Sequence, residues 1–271
     1  MLKFATISLL ALATATPAFA ETAADSERPG DEIIVTASRS GEGVPASQLG
    51  SAVTVIDSEA LDLRQTRIVS DVLRDVPGVA VTRIGAVGGQ TQILIRGTES
   101  NHVLVLIDGI EAADPYQGEY DFGTLIADPA ARIEILRGQQ SSLYGSDAIG
   151  GVINYITLSG REAPGYAARI EGGSFGTISG GARVAGASGD FDYALSGSYY
   201  GTDGYATARG GTRDVGSDSV GATAKLGWAP GDAFKLTAVL RYSYTDADTN
   251  NSEFDPASPL FGYTVDSPGV H

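Results

Sequence analysis

Cysteine is absent, so the chain has no disulfide staple, no thiolate metal ligand and no cysteine nucleophile. Histidine occurs only as His102 and His271, and no catalytic set can be assembled around either. Basic charge is scarce: 18 Lys and Arg stand against 33 Asp and Glu, a net charge of −15. That deficit excludes a nucleic-acid partner, because a phosphate backbone needs a basic stripe. The acidity fits cation binding or simple solubility. Beyond the first twenty residues no run reaches the ~20 apolar residues of a transmembrane helix, so any membrane span must be built of strands. A glycine-rich stretch at Gly145–Gly151 lacks the lysine and helix that phosphate binding requires. What is plentiful is glycine (36) and tyrosine (12), a composition that favours turns and strands over helix bundles.

The N-terminus reads as an export signal rather than as structure. Lys3 supplies a positive start, Phe4–Leu12 a short apolar stretch, and Ala18-Phe19-Ala20 a small-residue cleavage site, which predicts processing after Ala20. Residues 21–44 form a flexible leader that opens polar and acidic. Within it Asp31-Glu32-Ile33-Ile34-Val35-Thr36-Ala37 is an isolated β-prone run. Two readings are open for it: an ordinary strand of the next domain, or an extended peptide that adds to the edge of a partner's sheet.

Residues 45–160 are expected to form an α+β domain, a small mixed sheet with short helices. Predicted strands are Val53–Ile56, Val79–Arg83, Gln92–Arg96, Val103–Ile107, Arg132–Leu136 and Val152–Ile156. Asp57 or Ser58 is positioned to cap a short helix with Glu59 in its first turn. A second helix is expected over Ser70–Val76, stopped by Pro77-Gly78, and Asp108-Gly109 marks a turn.

From residue 161 to 271 the pattern becomes alternation. Phe191, Tyr193, Leu195 and Tyr199 face one way, as do Val220, Ala222, Ala224, Leu226 and Trp228, and Phe234 through Tyr244 in steps of two. Weaker versions run through 166–174 and 178–186, giving five amphipathic strands. A soluble sandwich shows the same period. Strands near ten residues, aromatics at strand ends, short turns at 187–190 and 229–233, and long connections at 201–218 and after 245 favour the first antiparallel strands of a transmembrane β-barrel. A plugged barrel uses ~22 strands, and five open strands would leave unpaired backbone in lipid. The sequence is therefore expected to be an N-terminal fragment whose barrel is incomplete.

The order of these segments resembles the TonB-dependent outer-membrane receptors. Asp31–Ala37 is similar to the TonB box, Asp71–Val79 to the helix-to-strand junction of the plug, and Ile95-Arg96-Gly97 to its first Arg-Gly motif. Val105–Gly109, Ile133–Gly138 and Ser142–Asn154 follow in the family's order, so the resemblance covers 31–160. Within the family, Arg96-Gly97-Thr98, His102–Gly109 and Tyr144-Gly145-Ser146-Asp147 are most similar to the vitamin B12 receptors.

The resemblance implies a gated transporter in the outer membrane of a Gram-negative bacterium: the box binds TonB, inner-membrane energy moves the plug, and cobalamin is the substrate. Siderophore and haem receptors share the same plug wording and are the alternative. A passive porin or adhesion barrel would need neither plug nor box, and a secreted enzyme would need a catalytic set that is missing. Arg96 and Arg137 are implied to lock plug to barrel through wall carboxylates. Outward plug loops are implied to meet substrate through Gly88, Gln90, Gln92, Tyr116, Gln117 and Tyr120. The tyrosines offer flat apolar surface to a ligand or, equally, pack in the core. No cofactor is required. Asp214, Asp218, Asp246, Asp248 and Asp255 place carboxylates in neighbouring loops where calcium is a candidate ligand, although Asp246-x-Asp248-x-Asn250 lacks the glycine and glutamate of an EF-hand.

Overall fold

A computed structural model describes residues 50–231, 233–250 and 259, with the backbone alone of two short strand pairs. The first pair joins β1 (Ile34–Val35) to β2 (Val44–Pro45). The export signal, most of the leader and Asp255 lie outside the described residues.

β3 (Ala52–Ile56) runs into α1 (Ser58–Leu63) through Asp57, whose carboxylate accepts the Ala60 N–H at 2.7 Å. Glu59 stands in the first turn, where the helix dipole favours a negative charge. α2 covers Val69–Leu73, shorter than the predicted Ser70–Val76. The residues before Pro77 are steered out of helical geometry, and Val76 N–H closes only a tight turn onto Leu73 O at 3.2 Å.

β4 (Val79–Arg83) and β5 (Thr91–Ile95) form a separate antiparallel hairpin. β6 (Val103–Ile107) turns through Asp108-Gly109 into β7 (Ile110–Glu111). Both turn residues have positive φ, +51° and +81°, the requirement of a two-residue hairpin that places glycine second. β8 (Ala131–Arg137), the short helix α3 (Ser141–Tyr144) and β9 (Gly151–Thr157) complete this part. The sheet order is β3-β8-β9-β6-β7, with β6 and β9 parallel and the other pairs antiparallel. All seven residues of β9 are buried, as a central strand covered on both faces must be. One face packs Ile133, Ile135, Ile153 and Tyr155 with Ile93, Ile95, Val69, Leu73 and Phe122. The other packs Leu104, Leu106, Leu136 and Val152 over Ala148. Each fully buried large aliphatic contributes about 1.5–3 kcal/mol relative to exposure.

The second part is one antiparallel sheet in sequence order: β10 (Gly165–Gly172), β11 (Ile178–Ser188), β12 (Phe191–Tyr205), β13 (Val215–Gly231) and β14 (Phe234–Ala247). The sheet is not closed. β12 and β13 reach 15 and 17 residues, so the connection expected at 201–218 shrinks to 206–214. A bulge between Thr202 and Tyr205 absorbs Asp203-Gly204 without ending the strand. The outward face carries Ile170, Leu195, Tyr199, Val220, Leu226, Leu240 and Tyr242, all exposed. The inward face carries Ser179, Arg183, Ser217, Ser219 and Thr223, all buried against the α+β domain. Phe191 stacks on Trp228 at 5.8 Å, and Trp228 meets Phe234 edge-on at 5.7 Å, an aromatic rim at the short-turn end. β15 (Asn251–Ser252) and β16 (Thr264–Val265) pair beyond the sheet.

Candidate functional site

Two regions hold the chemistry: the contact between domain and strand wall, and a cleft between β5 and the segments around Ser100 and Glu119.

Three polar clusters seat the domain on the wall. In the first, Asp108, 2 % exposed, receives Lys225 Nζ from β13 at 3.0 Å and faces Arg241 of β14 at 3.9 Å. The same carboxylate accepts the Thr157 N–H at 2.9 Å, while Lys225 also donates to Thr157 O at 2.6 Å. Arg241 lies over the Tyr155 ring, 5.1 Å from its centroid. In the second, Asp128 accepts the Ser196 hydroxyl and lies 4.0 Å from the Arg183 guanidinium. Arg183 donates onward to Ala163 O at 2.6 Å and Leu158 O at 2.9 Å, clamping the segment that joins domain to wall. In the third, Arg67 donates to Glu171 of β10 at 2.6 Å, with Arg169 on the other carboxylate oxygen at 3.2 Å.

Tyr155 ties the first two clusters together. Its hydroxyl accepts the Asp128 N–H at 2.7 Å. Burial, reinforced by the negative charge of Asp128, pushes its phenol above the ordinary value.

None of these wall contacts involves Arg96 or Arg137. Arg96 occupies positive φ (+54°) in the turn before Gly97, its N–H donating to Gly78 O at 2.7 Å. Its guanidinium lies beside Gly138, where an added Cβ would come within 2.9 Å of it. Arg137 donates to Pro77 O at 2.5 Å and Thr54 Oγ1 at 3.0 Å. Among the described residues neither arginine meets a carboxylate.

The loop between β4 and β5 reaches the far end of the wall. Gly88 is buried there, and an added Cβ would press on Ser217 and Thr245 at 3.0 and 3.2 Å, two residues from the ends of β13 and β14. The sequence offers Gly88 as a ligand contact; the structure places it against the wall strands. Gln90 and Gln92, further along this loop and strand, converge on Glu119. Gln92 and Glu119, with Leu94, Glu99, Ser100, Asn101 and Gln117, line a cleft of about 320 Å³. Tyr116 is 98 % exposed on a turn whose N–H groups at Tyr116 and Gln117 are held by Asp114 at 2.7 and 2.9 Å. Tyr120 packs edge-on against Phe122 at 5.0 Å, next to the core. Burial pushes its phenol upward as well. Tyr120 thus packs beside the core, while Tyr116 stands at the surface.

The acidic residues are dispersed. Asp218 and Asp246 lie not in loops but directly opposite each other in β13 and β14, and Asp218 accepts the Tyr199 hydroxyl at 2.6 Å. Asp248 is taken by Arg213 at 2.6 Å, and Asp214 stands exposed. Among the described residues no three acidic or histidine side chains converge on one point. Of the β-prone box, Ile34 and Val35 pair with Pro45 and Val44, while Asp31, Glu32, Ile33, Thr36 and Ala37 lie outside the described residues.

Sequence reading missed Asp108, Asp128, Arg183, Lys225, Arg241 and Glu119. For the wall residues a signal was present: Lys225 and Arg241 stand on the face opposite the apolar series, where a charge must meet water or a partner.

A model of the TonB-dependent receptor plug domain matches residues 45–152. The vitamin B12 transporter BtuB of Photobacterium profundum is 32% identical over 229 residues, which cover 83% of this chain and 37% of BtuB. The crystal structure of the siderophore receptor PirA from Acinetobacter baumannii aligns with a TM-score of 0.53 at 26% identity, over 85% of this chain and 36% of that one. The pyoverdine receptor FpvA from Pseudomonas aeruginosa aligns at 0.62 and 18% identity, over 77% of this chain and 29% of that one, and shares the fold. The chain thus spans little more than a third of the length of its curated relative. With a plug domain seated on antiparallel wall strands and this likeness along most of its length, the chain belongs to the family of TonB-dependent receptors.

Proposed function

We propose that this chain serves in an outer-membrane receptor that takes up cobalamin, energised through TonB. The observation that carries the reading is the seating itself: a plug held on the wall's inner face by buried ion clusters, with a polar cleft formed by its loops. A barrel that conducts passively or only adheres has no use for a separable plug. The Ile34–Val35 strand supports coupling, because an edge segment that already adopts extended pairing can exchange that pairing for the edge of TonB. Cobalamin is favoured by the likeness to a vitamin B12 transporter. A siderophore is the second reading, favoured by the likeness to PirA.

Arg96 and Arg137 remain the proposed partners of wall carboxylates, now in addition to the contacts described. Calcium is proposed at the outer strand ends, where Asp218 and Asp246 oppose each other at an electrostatic cost that a cation would relieve. Calcium titration that neither raises thermal stability nor tightens ligand binding removes that part.

The test is uptake of labelled cobalamin by cells whose only cobalamin route is the intact receptor, with and without TonB. Uptake that persists without TonB overturns the coupling. Uptake of a ferric siderophore in place of cobalamin replaces the substrate.

A further inference from the structure

We propose that a gated passage for small hydrophilic solutes runs between plug and wall along β10–β12, with the Arg67–Glu171 ion pair as its gate. The inference goes beyond the uptake reading and rests on neither cobalamin nor TonB.

The register of the wall sets its inward residues in rows. Glu171, Ser179 and Tyr200 form one row across β10, β11 and β12. Arg169, Gly181 and Ser198 form the next, and Ala167, Arg183 and Ser196 the one after, nearer the short turns. Successive rows are about 7 Å apart along the strands. A cavity of about 540 Å³ lies at the first row, bounded by Tyr200 of the wall and by Arg64, Arg67, Asp71 and Val87 of the plug. A second, of about 400 Å³, lies at the next two rows, bounded by Ala167, Arg169 and Gly181 of the wall and by Glu59, Asp62 and Pro129 of the plug. Thr66 borders both, while Arg67 borders only the first and Arg169 only the second. The ion pairs of Glu171 with these two arginines therefore stand between the cavities.

The gap follows from residue size. Where β13 and β14 turn Lys225 and Arg241 inward the plug is gripped; where β10 and β11 turn Ala167 and Gly181 inward it is not. A Cβ added at Gly181 would meet its nearest atoms only at ordinary contact, 3.5 Å and beyond, so side-chain volume is missing there. Cavities of this size with charged and hydroxyl walls hold water and admit polar solutes. The gate is built to yield. The Arg67 side chain is 44 % exposed and that of Glu171 16 %, against 2 % for Asp108, and a pair in contact with water holds weakly. Arg67 belongs to the plug and Glu171 to the wall, so a small relative movement that spares the buried clusters separates them.

The experiment measures arabinose entry into liposomes carrying the purified intact receptor, with neither TonB nor ligand present. Glu171→Gln and Arg67→Gln each remove one side of the gate, and Arg67, the more exposed partner, keeps the test decisive if Glu171→Gln folds poorly. Either variant is expected to admit arabinose about fivefold faster than wild type, the shift in open population that loss of a partly exposed pair produces. Ala167→Trp added to either variant fills the second cavity and is expected to restore the wild-type rate. Ile170→Trp, on the outward face of the same strand, is expected to leave the leak unchanged. Wild-type rates in both gate variants overturn the inference. So does a leak that Ala167→Trp leaves undiminished, or that Ile170→Trp stops equally, because the pair would then only anchor the plug. None of these outcomes bears on cobalamin uptake, whose failure in turn leaves the passage standing.

Discussion

Replacing Asp108 by Asn tests whether charge seats the plug. Asn keeps the shape, tolerates the positive φ of +51° and can still accept the Thr157 N–H, so the change removes charge and little else. At the 3.0 Å separation from Lys225 the attraction at an effective dielectric of ~20 is roughly 5 kcal/mol, most of it offset by dehydration of the two groups. What the variant exposes is the cost of stranding Lys225, 14 % exposed, and Arg241, 21 % exposed, opposite a neutral amide. Removing one partner of a buried pair costs about 3–5 kcal/mol, and because Lys225 retains Thr157 O the lower end, about 3, is expected. Lys225→Met should cost less, about 2 kcal/mol, since Asp108 keeps Arg241 at 3.9 Å. The double variant should fall short of the sum by about 2 kcal/mol. Hydrogen exchange of the β9 amides in detergent-solubilised receptor reads the opening free energy of the region that the pair pins. Strict additivity of the two substitutions would refute the argument.

Three further outcomes follow from the same geometry. Ile34→Pro should abolish TonB-dependent uptake, because it removes a backbone donor from the two-residue β1 strand; normal uptake in that variant removes the coupling role. Tyr155→Phe strands the buried Asp128 N–H and should lower stability by about 1–3 kcal/mol in a urea melt, and an unchanged midpoint would contradict the bond. Gly123→Ala drives a methyl into Gly89 O and against Asp121, so it should destabilise the β4–β5 loop by about 1–3 kcal/mol, seen as faster proteolysis within 84–90.

Much of the plug was legible because its signals are local. The β-branched runs of β4, β6 and β9, the Asp57 cap and the Asp108-Gly109 hairpin each need only a few neighbouring residues to be recognised. The wall strands were legible through alternation. Their lengths were not, because a bulge carries β12 through Asp203-Gly204, which in isolation reads as a stop. α3 escaped notice because four residues give no period. The site suffered most. Asp108 and Lys225 are 117 positions apart, and nothing short of the docked arrangement joins them. The same arrangement buries Gly88 under the wall and packs Tyr120 against Phe122, placements that depend on residues distant in the sequence. Asp218 and Asp246 look like loop ligands until pairing extends to Ser217 and Ala247 and makes them strand neighbours.

The inner face of the wall has a consequence for how the plug could leave. Ser179, Arg183, Ser217, Ser219 and Thr223 are dry only because the plug covers them. Water entering as the plug is drawn away would find hydroxyls and guanidinium groups to solvate, not a greasy lining. Separation therefore costs little hydrophobic free energy per unit area, and the work of extraction concentrates in a few ionic contacts that break one after another. Under the pull proposed above, such an interface would give way contact by contact and would reseal without trapping a dewetted surface.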